Sequence, residues 1–359
     1  MSFKIPGWIL AIGWIFILAV PALEGQAQDA SALHQKLLAE LTQQEGAEID
    51  PVNGDSLWKF GVRITSEGGA TGITSTCPVP IDWPEQTVVE VEQNHTDNVN
   101  RISFKRLTPE VQQMVVKIKR LAAGEVAEAT VTFRIRKTPL AVPENTADLR
   151  IPTRTPSKIR KYLSPSPYIE SSNRKIRAVA AQIVFAEGAN DWQKVEQIYD
   201  WVRENIDYKF DTQIHTCMEA LEAGVGDCEE LSSLVIAICR INKIPARAVW
   251  VPGHTYPEFY LEDAEGNGAW YPCEAAGSRS FGAMNSPRPI LQKGDKFKVP
   301  GSSDPLRYVQ PTLVAKQVNG QPTLEWISEQ VLEPADESID SNDSIESGQE
   351  SLESGQSTR

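Results

Sequence analysis

Cysteine, histidine and a carboxylate are the residue types that build a thiol nucleophile, its base and the group that orients the base. This chain presents such a run in order. Cys228 stands in Gly226-Asp227-Cys228-Glu229-Glu230-Leu231, His254 in Gly253-His254-Thr255-Tyr256-Pro257-Glu258-Phe259-Tyr260, and Glu274 directly after Trp270-Tyr271-Pro272-Cys273. Asp227 is an N-cap residue and Glu230 completes a capping box with it, which puts Cys228 on the first helical position. Free backbone N–H groups and the helix dipole there favour a thiolate. The alternative for Cys228 is a small buried cysteine at a helix start. In a strand, His254, Tyr256, Glu258 and Tyr260 point to one side. Turn-forming residues 263–268 follow. A hairpin centred on Ala264 sets His254 opposite Glu274, with Cβ atoms about 5 Å apart, and a slip of two residues leaves them diagonal neighbours. Taken singly, His254 also reads as a structural histidine and Glu274 as a solvated charge at a strand end.

Together the three residues say more. A cysteine at a helix start, a histidine on a strand and a carboxylate on the next strand is the order of the transglutaminase-like cysteine enzymes. The chain resembles that superfamily over about residues 170–275. The resemblance is carried by Gly226-Asp227-Cys228-Glu229-Glu230, by Ile244-Pro245-Ala246-Arg247-Ala248-Val249, by His254-x-Tyr256-x-Glu258, and by the upstream Trp201-Val202-Arg203-Glu204-Asn205-Ile206-Asp207-Tyr208. It implies a papain-like α+β domain, with the cysteine on a helical part and the histidine and acid on an antiparallel sheet. It also implies catalytic roles for Cys228, His254 and Glu274 in amide-bond chemistry through a thioester, ending in crosslinking or in hydrolysis. Two positions depart from the family pattern: Glu274 stands where Asp is usual, and Tyr256 stands two residues after the histidine where Trp is frequent. Arg247 is structural on this resemblance. The second class of function is a decayed domain of the same fold serving as an exported binding or assembly module.

The other chemical patterns fall away. Residues 263–268 lack the ligand spacing of a calcium loop, and a hairpin turn explains them. Cys217, Cys228, His254 and Cys273 contain no Cys-x-x-Cys pair and fit no common zinc site. No metal and no cofactor is expected. Cys228 and Cys239 lie eleven residues apart on one helix, about 16 Å along its axis, too far to bridge. With the implied fold placing Cys217 and Cys273 near the site, a Cys217–Cys273 disulfide is expected, against the alternative of five reduced thiols.

These residues need elements to hold them. Helical spacing recurs at Ile176, Val179, Ala180 and Ile183, at Trp192, Val195, Ile198, Tyr199 and Val202, and over residues 226–243. Strand-like runs follow at 246–251, 254–261 and 269–273. Upstream, short β-type runs between residues 57 and 135, separated by Gly and Pro clusters, read as an antiparallel β-domain of sandwich type. Six prolines between residues 138 and 168 mark a linker. Near the C-terminus, Asn319-Gly320 between two apolar runs is a hairpin signal.

The chain ends assign a compartment. Lys4 and the apolar run 8–20 read as a secretory signal peptide over residues 1–27, against the alternative of an uncleaved anchor. The last 27 residues carry eight acidic side chains and one basic, about half of the net charge of −13, and read as a disordered tail. A chain this acidic is a poor binder of nucleic acid or of anionic membranes through general electrostatics. At 41% hydrophobic and 23% charged residues, collagen-like, coiled-coil and wholly disordered classes are excluded.

The organisation read from sequence is therefore a signal peptide (1–27), an N-terminal helix and lead-in (28–55), a β-domain (56–137), a Pro-rich linker (138–168), a transglutaminase-like domain (169–300), a C-terminal β extension (301–332) and an acidic tail (333–359). The expected protein is exported to the periplasm or the extracellular space, is not integral to the membrane after cleavage, and acts on a protein or peptide substrate.

Overall fold

The computed structural model describes residues 55–332, so the signal-peptide, N-terminal-helix and acidic-tail readings lie outside the described residues. Alternating apolar and polar side chains draw the first part of the chain into six long strands: β1 (Asp55–Thr65), β2 (Ala70–Val79), β3 (Gln86–His95), β4 (Arg101–Thr108), β5 (Val111–Leu121) and β6 (Val126–Lys137). Helices follow: α1 (Arg174–Gln182), α2 (Asp191–Asn205), α3 (Cys217–Ala223) and α4 (Cys228–Ile241), with short strands β7 (Asp207–Tyr208) and β8 (Val225–Gly226) between them. Then come β9 (Ala246–Val251), β10 (His254–Glu262), β11 (Gly268–Glu274), β12 (Ser280–Phe281), β13 (Gln292–Lys293), β14 (Thr312–Val314), β15 (Gln317–Val318) and β16 (Thr323–Val331). The fold is α+β, as expected.

Two sheets form the sandwich, in the orders β16-β1-β6-β3 and β14-β2-β5-β4, with β15 also on β2. Phe60, Val62 and Ile64 of β1, Val131 and Ile135 of β6, and Met114 and Ile118 of β5 meet in one apolar core. The C-terminal strands thus close both sheets. The hairpin expected at Asn319-Gly320 does not form: Gln317 and Val318 pair with β2, whereas Thr323 onward pairs with β1. The dipeptide turns the chain, but burial of Trp326 and Ile327 sends the next strand to the other sheet.

In the second half, α4 is apolar enough to be buried nearly all round. It packs on a sheet of order β12-β11-β10-β9-β13, with the other helices against it. The proline-rich residues run along this half: Arg150 bridges to Glu262 and Leu140 to Met284, and Tyr162 is buried. The halves join around residues 290–293. Leu291 enters the sandwich core. The Gln86 side chain donates to the carbonyls of Ile81 and Ile290 and accepts from the Ile290 N–H. Lys293 pairs with Glu85 and Glu258.

Candidate active site

Gly226, Asp227 and Cys228 open α4 as their chemistry requires. Asp227 Oδ1 accepts from Glu229 N at 2.7 Å, and Glu230 Oε2 accepts from Asp227 N at 2.9 Å, closing the capping box. A Cβ on Gly226 would come within 2.8 Å of Glu230 Cβ, so only glycine lets the chain approach the helix here. Cys228 is the first helical residue and is 7% exposed.

His254 begins β10, and its Nε2 lies 2.8 Å from Glu274 Oε2 at the end of β11. Both side chains are about one-sixth exposed. The register pairs Glu258 with Pro272 and Glu262 with Gly268. The turn therefore centres on Glu265, one residue beyond Ala264, and histidine and acid meet diagonally. Asp263 Oδ1 accepts from the N–H groups of Glu265 and Asn267, which makes residues 263–268 a side-chain-closed turn.

Positioning groups come from further away. Ser232 Oγ, one turn into α4, donates to the Thr255 carbonyl at 3.2 Å and ties the histidine strand to the cysteine helix. Tyr199 Oη and Arg203 Nη1 of α2 donate to the Glu274 carbonyl at 2.8 and 3.1 Å. Ala276 N donates to Glu274 Oε1 at 3.1 Å. With Nε2 engaged by the acid, Nδ1 is the imidazole nitrogen left to act as a base.

Residues 177–275 match the family model of the transglutaminase-like superfamily. That stretch, which holds Cys228, His254 and Glu274, is a transglutaminase-like region of the chain. A crystal structure of a proposed cysteine protease from Cytophaga hutchinsonii matches with a TM-score of 0.53 at 17% identity, over 79% of this chain and 93% of that chain. At that identity the likeness concerns fold alone. A proposed protease from Parabacteroides distasonis matches at a TM-score of 0.24 and 10% identity, over 62% of this chain and 47% of that chain, too distant to bear on either fold or function. Comparison with curated proteins returned no match.

Within the transglutaminase-like domain, the electrostatics depart from the expectation of a thiolate favoured by the helix start. Burial pushes the Cys228 thiol well above its usual range, and the carboxylates of Asp227, Glu274 and Glu230 add to this. A backbone hydrogen bond from Thr255 acts in the opposite sense. The helix end is closed off from water and crowded with acids, and both raise the cost of the sulfur anion. Glu230 itself is raised to about 8, by burial first and by Asp227 second.

The expected Cys217–Cys273 disulfide is absent, since all five cysteines are free and buried. Cys217 Sγ instead accepts from Glu170 N at 3.2 Å, and Cys273 Sγ donates to the Pro257 carbonyl at 3.8 Å. Arg247, structural on the resemblance, puts Nε and Nη2 on Glu258 Oε2 at 2.9 and 2.8 Å and lies 4.0 Å over the Trp270 ring. Sequence reasoning missed Ser232, Tyr199, Arg203 and above all Arg307, which ion-pairs with Glu229, the residue after Cys228. No spacing signal pointed to Arg307, because it lies 79 residues from Cys228 in a stretch read as a β extension.

Proposed function

We propose that the chain is a thiol enzyme acting on amide bonds of proteins or peptides, with Cys228 as nucleophile, His254 as base and then acid, and Glu274 as the orienting carboxylate. The observation that carries this reading is the 2.8 Å contact between His254 and Glu274 on strands that Ser232 fastens to the Cys228 helix. Cys228 Sγ passes its proton to His254 Nδ1 as it attacks the carbonyl carbon, and the π pair moves onto oxygen. The backbone N–H of Cys228, on the first helical turn where no intrahelical acceptor exists, is one donor to that oxyanion. Collapse breaks the C–N bond, and the amine leaves with the proton from His254. The thioester is then opened by an amine, which forms a crosslink, or by water, which completes hydrolysis. The N-terminal pattern of Lys4 and the apolar run 8–20 supports export as the setting.

A second reading, an exported binding or assembly module with an unused triad, is favoured by the burial of Cys228 among the acids at the start of α4. Mass spectrometry of candidate proteins incubated with the native chain and with Cys228→Ala separates the two. The enzyme reading expects crosslinks, amine incorporation or cleavage, reduced at least roughly 10³-fold in the variant. Equal product from both chains overturns it, and partner capture that survives Cys228→Ala without any product supports the module.

A further inference from the structure

Three carboxylates act on the nucleophile, Asp227 and Glu230 from the start of α4 and Glu274 from β11, and Glu229 follows it in the chain. A sulfur anion formed there would feel the charge of Asp227, Glu230 and Glu274, with His254 of β10 as its proton acceptor. The segment after β13 brings a compensating charge. Arg307 is buried, and its guanidinium lies 4.8 Å from the Tyr168 ring centroid and 5.0 Å from that of Trp250. It ion-pairs with Glu229, the residue next to Cys228. Its Nη1 is enclosed with no hydrogen-bond acceptor among the described residues. Tyr168 is held at φ 66°, a left-handed backbone that a tyrosine adopts only under constraint, and its carbonyl accepts from Cys217 N at 3.1 Å. Two rings, a strained residue and a buried acid thus fix one cation beside the nucleophile.

We infer that Arg307 is a positioning residue of the Cys228 centre, a fixed counter-charge held by Tyr168, Trp250 and Glu229 that offsets the surrounding carboxylates when the sulfur becomes an anion. This rests on the thiol-enzyme reading of Cys228. The fields agree with the geometry: Arg307 interacts electrostatically with Cys228 and Asp227, although burial pulls its own pKa down to about 10. A surface cation would be screened, whereas one enclosed between rings keeps its effect on a buried neighbour.

The test is the ionisation of Cys228, read as ultraviolet thiolate absorbance against pH, with Cys228→Ser as the blank. Arg307→Met should move the Cys228 transition upward by about one pH unit, a roughly tenfold loss of thiolate at fixed pH, and Arg307→Lys should restore part of it. Because Arg307→Met removes a counter-charge from buried Glu229 and could unfold the domain, Glu229→Gln and Glu229→Gln/Arg307→Met are titrated as well. The double variant should ionise at higher pH than Glu229→Gln alone. Coincident transitions in that pair, or a thiol that stays protonated throughout in both, overturn the inference. The titration needs no turnover. A shifted transition without any amide product would remove the enzyme reading and leave the placement of Arg307 standing.

Discussion

Arg63 lies on the outer surface of the sandwich, reaching Glu128 and Glu325 at 2.8 and 2.9 Å with side chains between one-third and just over one-half exposed. Arg240 of the transglutaminase-like half is fully enclosed and meets Asp295 at 2.7 Å. The contrast is general. Among the described residues of the sandwich, Glu85 is the buried charged side chain, and its partner Lys293 belongs to the other half. The transglutaminase-like half buries Asp227, Glu229, Glu230, Arg247, Glu258 and Arg307 besides the Arg240 pair. Buried pairs are poor contributors to stability compared with apolar packing. A region that keeps so many holds them for something other than cohesion, and in this molecule they ring the cysteine and brace the sheet behind it.

The largest test of that contrast is Asp295→Ala. Arg240 would keep its bonds to the Ala246 and Ser164 carbonyls but lose its buried counter-charge. A loss of about 3–5 kcal/mol is expected in urea unfolding. A loss below about 1 kcal/mol would mean that the enclosed pairs behave like surface ones.

Glu274→Ala comes next and concerns rate rather than stability. In the proposed mechanism the acid orients His254 through the single oxygen that contacts it, while its backbone carbonyl, held by Tyr199 and Arg203, remains in the variant. Activity should fall roughly 10²-fold, about 2.7 kcal/mol in the barrier, and less than in Cys228→Ala. A silent variant would move the orienting role to another group.

These two sites differ in how far the sequence disclosed them. The Asp227–Glu230 capping box and the start of α4 were legible because capping is local chemistry within four residues. His254 and Glu274 were legible because one hairpin joins them, and the actual turn lies only one residue from its expected centre. What stayed hidden was non-local. Asp295 and Arg307 reach α4 from loops far along the chain, and nothing in their neighbours announces a buried ion pair. Asn319-Gly320 misled for the same reason: turn chemistry is local, but strand partners are chosen by which apolar face must be covered. The expected disulfide failed because proximity to one site does not bring two sulfur atoms to bonding distance.

Glu230→Gln asks whether the acids around Cys228 carry a stability penalty of their own. The folded-state pKa of Glu230 is raised from 4.5 to about 8. A group raised on folding contributes stability that is present below pH 4.5 and is lost as pH rises through about 8. Glutamine does not titrate and keeps one oxygen for the Asp227 N–H, while the bond accepted from His215 N is lost at every pH. The variant should therefore lose less stability than the native chain between pH 5 and pH 8, by about 1–2 kcal/mol, since Asp227 shares the charge. Parallel urea midpoints across that window in both chains would count against a penalty at Glu230.

The smallest effect is expected on the surface, at Arg63. It stands directly opposite Glu128 on β6 and Glu325 on β16, so one guanidinium spans three strands. Directly opposed charges in a sheet contribute some tenths of a kcal/mol each, and water and salt screen them. The core beneath, Val62 and Ile64, is covered by its own neighbours and does not depend on the ion pair. Arg63→Ala should cost under about 1 kcal/mol at low salt, with the difference shrinking as salt is raised. A salt-insensitive loss of about 2 kcal/mol or more would show the three-strand clasp acting as a buried pair does, and the division between a sandwich held by apolar packing and a site built from enclosed charge would then fail at its clearest surface example.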